Sequence, residues 1–517
     1  MKRWMGRLAA LALCLCLLAG MPVIVRAEGG EAEDITKKCA VKVSEKSGDK
    51  DRMFDTTVST AWWAEHSDGY VGIKLPDGGA GWLRIEWFFE PTDFQLVEYD
   101  ADMNILRQRD QTSTFPCIYM LFDLLDGTKY IKLQMGEKDQ KIVNLRVYGP
   151  GTPAKSLHQW QPPVDKADIM VVSAHQDDEL IFLGGTIPYY ATALKKPTIV
   201  VYMTNCTRYR RNEALNALWK MGVRNYPEFI NLEDKKVGSI NEGIRLWGGK
   251  DNILSLVAER IRRFKPEVIV TQDLNGEYGH NQHKITARSI MYAIEAAADP
   301  AKYPESAERY GEWQVKKLDH HLYKKNQIEM DWEKPLDSLK GHTALEVAQL
   351  GMNEHASQLK YYAVKSHGTY DNSKFGLYYT TVGDDVAKDD FLENIDPDAS
   401  AKYLEEHAEE IAARKAAAEA AAAATPEPTA APTPEPTEAP VAQTPPEDDS
   451  TVGAAPEAVA PEPAPTVAPV RTAEKGGSTA LAVAMIALGV AAVGAGGWYG
   501  WRTLSGGRRR RRRSKRR

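Results

Sequence analysis

Short apolar runs alternate with amphipathic stretches between residues 165 and 300, and this alternation limits the fold more than any other feature of the chain. Ile169 to Ser173, Pro197 to Thr204 and Val268 to Thr271 are nearly unbroken apolar runs. Leu180 to Leu194, Arg208 to Met221, Asp251 to Phe264 and His283 to Ala297 carry helical patterns between and after them. A strand buried on both faces needs no polar alternation, so runs of this kind separated by helices predict a mainly parallel sheet covered by helices. The expected fold class for residues 165–390 is therefore α/β, of the Rossmann-like type.

Residues 30–150 follow a different rhythm. Tyr70 to Leu75, Gly81 to Phe89, Phe94 to Tyr99, Lys129 to Gln134 and Ile142 to Tyr148 are short apolar or aromatic runs. Turn residues such as Pro76-Asp77-Gly78-Gly79 and Asp126-Gly127 separate them. This predicts an all-β sandwich.

The two ends concern the compartment rather than the fold. Residues 1–27 read as a signal peptide: Lys2, Arg3 and Arg7, then an apolar run, then the small-residue site Val25-Arg26-Ala27. An uncleaved anchor is the alternative. Residues 398–424 are an Ala-rich helix former, and 425–472 are a Pro/Thr/Ala/Glu-rich stalk. Residues 478–501 contain no charge and are long enough to span ~30 Å of hydrocarbon. The arginine-rich tail 502–517 follows, which the positive-inside tendency places in the cytoplasm. The expectation is a single-pass C-terminal membrane anchor that holds an exported body off a bacterial surface. Nuclear targeting by the arginines is the rival explanation.

Charge is segregated accordingly. Taking the ten positive charges of the tail and the four of the first 27 residues from the formal −6 leaves −20 for residues 28–501. So acidic a body is a poor partner for nucleic acid. Beyond the signal only Cys39, Cys117 and Cys206 remain, too few for a disulfide scaffold; a Cys39–Cys117 bridge stays open.

Two segments carry chemistry. Ala174-His175-Gln176-Asp177-Asp178-Glu179 follows the first strand, where open α/β sheets place ligands. His175 and Asp178 are a candidate metal-ligand pair, with Asp177 left over as a base. Asn275-Gly276-Glu277-Tyr278-Gly279-His280-Asn281-Gln282-His283 follows the strand Val268 to Thr271, with His280 and His283 three apart. Taken singly, each segment is also explained as a polar strand-to-helix turn or a solvated loop. Taken together, two nitrogen ligands and a carboxylate with open positions form a catalytic zinc pattern.

These residues resemble the PIG-L (LmbE-like) N-acetylglucosaminyl deacetylases over roughly residues 165–370. The resemblance extends to Arg210-Arg211-Asn212-Glu213 and to His355-Ala356-Ser357-Gln358. Gln176 and Asn281 stand where that family has proline, and neither is a ligand position. The resemblance implies one Zn2+ held by His175, Asp178 and His283. It implies Asp177 as the general base and His280 as a cation that steadies the intermediate or protonates the leaving amine. Tyr278 and Arg210 are implied as substrate-binding residues, and Glu179 as an organiser of its loop.

Asp55 to Trp62 and the Trp82 to Trp87 strand resemble discoidin (F5/8 type C-like) domains over about residues 35–150. Trp62, Trp63 and Trp87 are then candidates for stacking on a cell-wall glycan, or for the core. The function expected is a cell-surface zinc hydrolase that deacetylates an N-acetylglucosamine-type glycan or glycoconjugate. The rivals are a non-catalytic carbohydrate-binding surface protein and a zinc amidase acting on another N-acyl or thiol conjugate.

Overall fold

The computed structural model describes residues 30–423, apart from 45–48, 112–114 and 116. The expected signal, stalk, spanning segment and basic tail lie outside the described residues. Among the described residues no helix is long and apolar enough to cross a membrane.

The N-terminal part is an antiparallel β-sandwich. Its strands are β1 (Ala40–Val43), β2 (Trp62–Trp63), β3 (Tyr70–Lys74), β4 (Trp82–Trp87), β5 (Phe94–Tyr99), β6 (Ile105–Gln111), β7 (Tyr119–Asp123), β8 (Tyr130–Met135) and β9 (Lys141–Tyr148). One sheet runs β1-β3-β8-β5-β6 and the other β2-β9-β4-β7. Alternation is clean where one face is buried: β8 buries Ile131, Leu133 and Met135 and turns the intervening side chains outward. β6 has no such alternation. It is an edge strand held by charge, with Arg107 pairing Glu98 at 2.7 Å and Arg109 pairing Asp123 at 3.0 Å. Trp62 and Trp87 are fully buried core residues and offer no ring face to a glycan, while Trp63 is only partly buried. Cys39 and Cys117 are free thiols.

The second part is the expected α/β layer. Its strands are β10 (Ile169–Ser173), β11 (Thr198–Asn205), β12 (Glu228–Glu233), β13 (Val268–Thr271), β14 (Lys317–His321), β15 (Gln327–Glu329) and β16 (Lys374–Thr380). The sheet order is β12-β11-β10-β13-β14-β16-β15. β10 to β14 pair in parallel, and β16 and β15 close the edge antiparallel. β10 lies between β11 and β13: the chain runs from β10 outward through β11 to β12, then crosses back to β13 on the other side of β10. A crevice opens at such a switch point, at the C-terminal strand ends.

Two helical expectations need correction. Leu180 to Leu194 is not one helix: Asp178–Ile181 forms a single turn and Pro188–Ala193 a wider one. Close packing breaks it, since Gly184 has φ +55° against Asn372 and a Cβ on Gly185 would meet Trp332 at 2.7 Å. The Ala-rich stretch is two helices, Ala399–Glu406 and Ala408–Ala423, with Tyr403 stacked on His407 at 4.0 Å where they meet. They dock on the α/β body: Ser400 bonds Asp168, and Lys415 pairs Asp165 at 2.7 Å.

The sandwich and the α/β layer share one apolar core. The buried cluster that holds Leu83, Ile85 and Phe122 continues through Trp160 and Tyr226 to Val171, Tyr202 and Val270 on one sheet face. The connecting segment is an aromatic wedge, with His158 packed on Tyr119 at 4.6 Å and on Trp219 at 4.8 Å.

Candidate metal centre

The crevice at the switch point contains both chemical segments. Ala174 N donates to Gln272 Oε1 at 2.8 Å, which ties the end of β10 to the end of β13. Asp177 caps the short helix at φ 146°, a strained backbone for a residue with a side chain. Such strain persists only where the surroundings enforce it, and it concentrates at functional sites. Glu179 supplies part of that enforcement: Asp177 N donates to its Oε2 at 2.9 Å, and Tyr202 Oη donates to its Oε1 at 2.8 Å.

Three donor atoms converge here. His175 Nδ1 is 2.9 Å from Asp178 Oδ2 and 3.2 Å from His283 Nε2, and His283 Nε2 is 3.2 Å from the same oxygen. The opposite ring nitrogens are engaged elsewhere. His175 Nε2 faces Gln282 Oε1 at 2.9 Å, and His283 Nδ1 faces Glu277 Oε2 at 2.7 Å. A proton on each outer nitrogen leaves a lone pair on each inner one, the state in which a histidine binds metal. His175, His280 and His283 also offer ring nitrogens all within 4.8 Å of one another. His280 Nδ1 is buried and has no hydrogen-bond partner. Two imidazoles, a carboxylate and an unpartnered third imidazole fit a zinc-type cation.

The charges show what the site lacks by itself. Burial works against the His283 imidazolium, but the Asp178 charge and the bonds to Asp178 and Glu277 outweigh it and raise its pKa to about 10. Burial also opposes ionisation of Asp178, yet His283 and His175 hold it well below the usual carboxylate range. A proton on His283 therefore offsets the Asp178 charge, a task that a divalent cation performs with the same side chains.

Asp177 is set apart from this cluster. Burial and the neighbouring Asp178 charge push its carboxyl up to about 7, against the pull of Arg210. Arg210 lies 2.7 Å from Asp177 Oδ1 and donates to Gln176 O at 2.6 Å. It therefore grips the strained turn as well as the carboxylate. Burial, then the His283 and His175 charges, bring the His280 pKa down to about 4. Tyr278 is half-exposed, and its ring centroid is 5.5 Å from that of His283 and 5.7 Å from that of His280.

Sequence reasoning missed the residues that orient these groups. Glu277 is fully buried, bonds His283 as above, and bonds His321 Nδ1 through Oε1 at 2.8 Å. Those hydrogen bonds and charges overcome its burial and bring its pKa down to about 2. Glu277 and Gln282 stood inside the second segment, but only the fold reveals which imidazole each meets. His320 and His321, adjacent on β14, meet different partners: His320 Nδ1 lies on Gln272 O at 2.9 Å, while His321 bonds Glu277. Glu213, one turn along from Arg210, accepts from Ser357 N at 2.7 Å and from Ser357 Oγ at 2.6 Å. This bond brings the His355 segment against the arginine helix.

Residues 170–294 match the family model described as PIG-L, GlcNAc-PI de-N-acetylase. The chain carries a PIG-L domain. Over 179 residues it is 28% identical to 1D-myo-inositol 2-acetamido-2-deoxy-alpha-D-glucopyranoside deacetylase 2 of Saccharopolyspora erythraea, covering 29% of this chain and 63% of that protein. Over 169 residues it is 27% identical to the mycothiol S-conjugate amidase of Streptomyces coelicolor, covering 28% of this chain and 56% of that one. The chain thus spans less than two thirds of these relatives' length. The β-sandwich that precedes the PIG-L domain is similar to a Streptococcus pneumoniae fucose binding module, with 13% identity, 23% and 96% coverage and a TM-score of 0.19.

Proposed function

We propose that this chain is a zinc-dependent N-deacetylase acting on an N-acetylglucosamine-type glycan or glycoconjugate at a cell surface. The observation that carries the reading is the convergence of His175 Nδ1, Asp178 Oδ2 and His283 Nε2 beside the Asp177–Arg210 pair. A zinc ion held by His175, Asp178 and His283 supplies Lewis acidity for amide hydrolysis. The protein's own groups do the rest. Asp177 takes the proton of the attacking water and returns it to the leaving amine. His280 donates a hydrogen bond to the oxygen on which negative charge develops. Arg210 holds Asp177 in place and meets the sugar. Gln282 and Glu277 orient His175 and His283.

Export, a membrane-anchored tail and a glycan-holding sandwich complete the proposal. Two features support the last part: a cavity of ≈ 200 Å³ lined by Trp87 to Thr92 and Glu137 to Lys141, and the half-exposed ring of Phe89 at its edge. The test uses the full chain loaded with zinc. Acetate release is measured from a panel of N-acetylated glycans and an inositol glycoside, with and without chelator. Acetate release that the chelator abolishes is the expected result. Cleavage of an N-acyl thiol conjugate without acetate release from any sugar would favour the amidase reading, which the second relative supports.

A further inference from the structure

The first turn of the helix Arg208–Met221 carries Arg208, Arg210 and Arg211 and no acidic residue. A helix N-terminus is already the positive end of its dipole, so three guanidinium groups there need carboxylates from elsewhere. Two come from the β-sandwich. Glu86, on β4, accepts from Arg208 at 2.6 Å, and Trp87 O accepts from Arg208 Nε at 3.0 Å. Glu90, in the loop after β4, pairs with Arg211, which also bonds Asn231 of β12. The third comes from the crevice, where Arg210 pairs with Asp177.

Helical spacing separates the two directions. Residues 208, 211 and 212 fall on one face of the helix, and 210 and 213 on another. The first face is fastened to the sandwich. Arg208 and Arg211 are 3% and 1% exposed, and Asn212 Nδ2 donates to Glu86 Oε1 at 3.2 Å and bonds Tyr119 of β7. Tyr226 Oη donates to Glu90 Oε1 at 2.9 Å and braces that carboxylate. A buried guanidinium held in this way has one geometry, because rotation of the helix would leave it unpaired away from water. The face that carries Arg210 is then fixed as well. Its guanidinium spans Asp177 Oδ1 and Gln176 O, on either side of the strained peptide turn.

We infer that Glu86 and Glu90 are positioning residues for the metal centre: the sandwich sets the rotation of the arginine helix, and the helix sets Arg210 and the Asp177 turn. The sandwich is thereby part of the catalytic unit. The effect on catalysis rests on the deacetylase reading; the positioning itself does not. The test uses the zinc-loaded full chain with Glu90→Ala, Arg210→Ala and the double variant, on the panel sugar from which wild type releases acetate. Thermal unfolding checks that each is folded. Glu90→Ala should lower kcat/KM by about 2- to 150-fold, the range over which side chains of one network couple. In the Arg210→Ala background the same change should cost less than about twofold, because the residue it acts through is gone. An equal loss in both backgrounds would overturn the positioning role. If Glu90→Ala does not fold, Glu90→Gln replaces it; its amide oxygen can serve only one of the two donors, and it should show the same pattern at smaller size.

Hydrogen exchange separates the two readings without activity. Leu180 N and Ile181 N donate to Asp177 O at 3.0 Å, and Phe182 N to Asp178 O at 2.9 Å, so these amides report on the turn. Glu90→Ala should speed their exchange by at least about twofold and leave the amides of β14 as in wild type. If no sugar is deacetylated yet the turn responds in this way, the positioning stands and the deacetylase reading falls. If acetate is released but neither kcat/KM nor exchange at the turn changes, the positioning alone falls.

Discussion

Glu277→Gln isolates the group that orients the candidate metal ligands without emptying space. The carboxylate serves three donors: Asp273 N at 3.0 Å and His321 Nδ1 at 2.8 Å on one oxygen, His283 Nδ1 at 2.7 Å on the other. An amide offers one oxygen and one NH2. Whichever way it turns, either His283 or the His321–Asp273 pair then faces a donor instead of an acceptor. Leaving one buried polar group unpaired costs about 1–3 kcal/mol. If the loss falls on His283, its Nδ1 proton is no longer held, and the Nε2 lone pair aimed at the site is less available. At 1.4 kcal/mol per decade that cost is roughly 5- to 150-fold in zinc affinity, in line with the ~10–100-fold typical of such supporting partners. The assay is competition for zinc between the purified full chain and a chromophoric chelator at pH 7.5, with thermal unfolding as the check on folding. A folded Glu277→Gln protein that binds zinc within twofold of wild type would refute the orienting role.

Other changes test separate parts of the structure. Asp177→Asn should keep its zinc but lose at least ~100-fold in acetate release, the scale of general-base catalysis; unchanged turnover removes Asp177 from the chemistry. Glu86→Ala leaves the buried Arg208 guanidinium without its 2.6 Å carboxylate at the sandwich junction and should cost ~3–5 kcal/mol in denaturant unfolding; a loss below ~1 kcal/mol would show that the pair does not join the two parts. Asp319 is fully buried with neither carboxyl oxygen hydrogen-bonded, and burial, resisted by Lys317 and aided by Asp385, pushes its pKa up to about 7. Its folded pKa therefore lies above its unfolded value, so its contribution is greatest below about pH 4 and is lost as pH climbs to about 7, by up to ~4 kcal/mol. Asp319→Asn should flatten that dependence in thermal unfolding between pH 4 and 8; a wild-type slope in the variant would locate it elsewhere.

The chain order alone determined a good deal. Uninterrupted apolar runs marked β10, β11 and β13, because strands covered on both faces need no polar positions. The two chemical segments each followed such a run, and in a parallel sheet that places them at the same edge. β6 escaped notice because its side chains are mostly charged or polar and carry no apolar alternation, although it pairs with β5 along its length. The broken helix after Asp178 escaped because contacts of Gly184 and Gly185 with distant Asn372 and Trp332 decide it.

What tertiary structure decided is the partner of each side chain. The spacing of His280 and His283 indicated that both can face one centre, but not that Glu277 and Gln282 fix the outer ring nitrogens. Nor did it show that Arg208, Arg210 and Glu213, all on one helix, reach in turn the sandwich, the strained Asp177 turn and the His355 segment. Local sequence sets which residues can approach a site, through strand and helix periodicity. Protonation and orientation depend on burial and on groups brought together from far along the chain, and those exist only once it has folded.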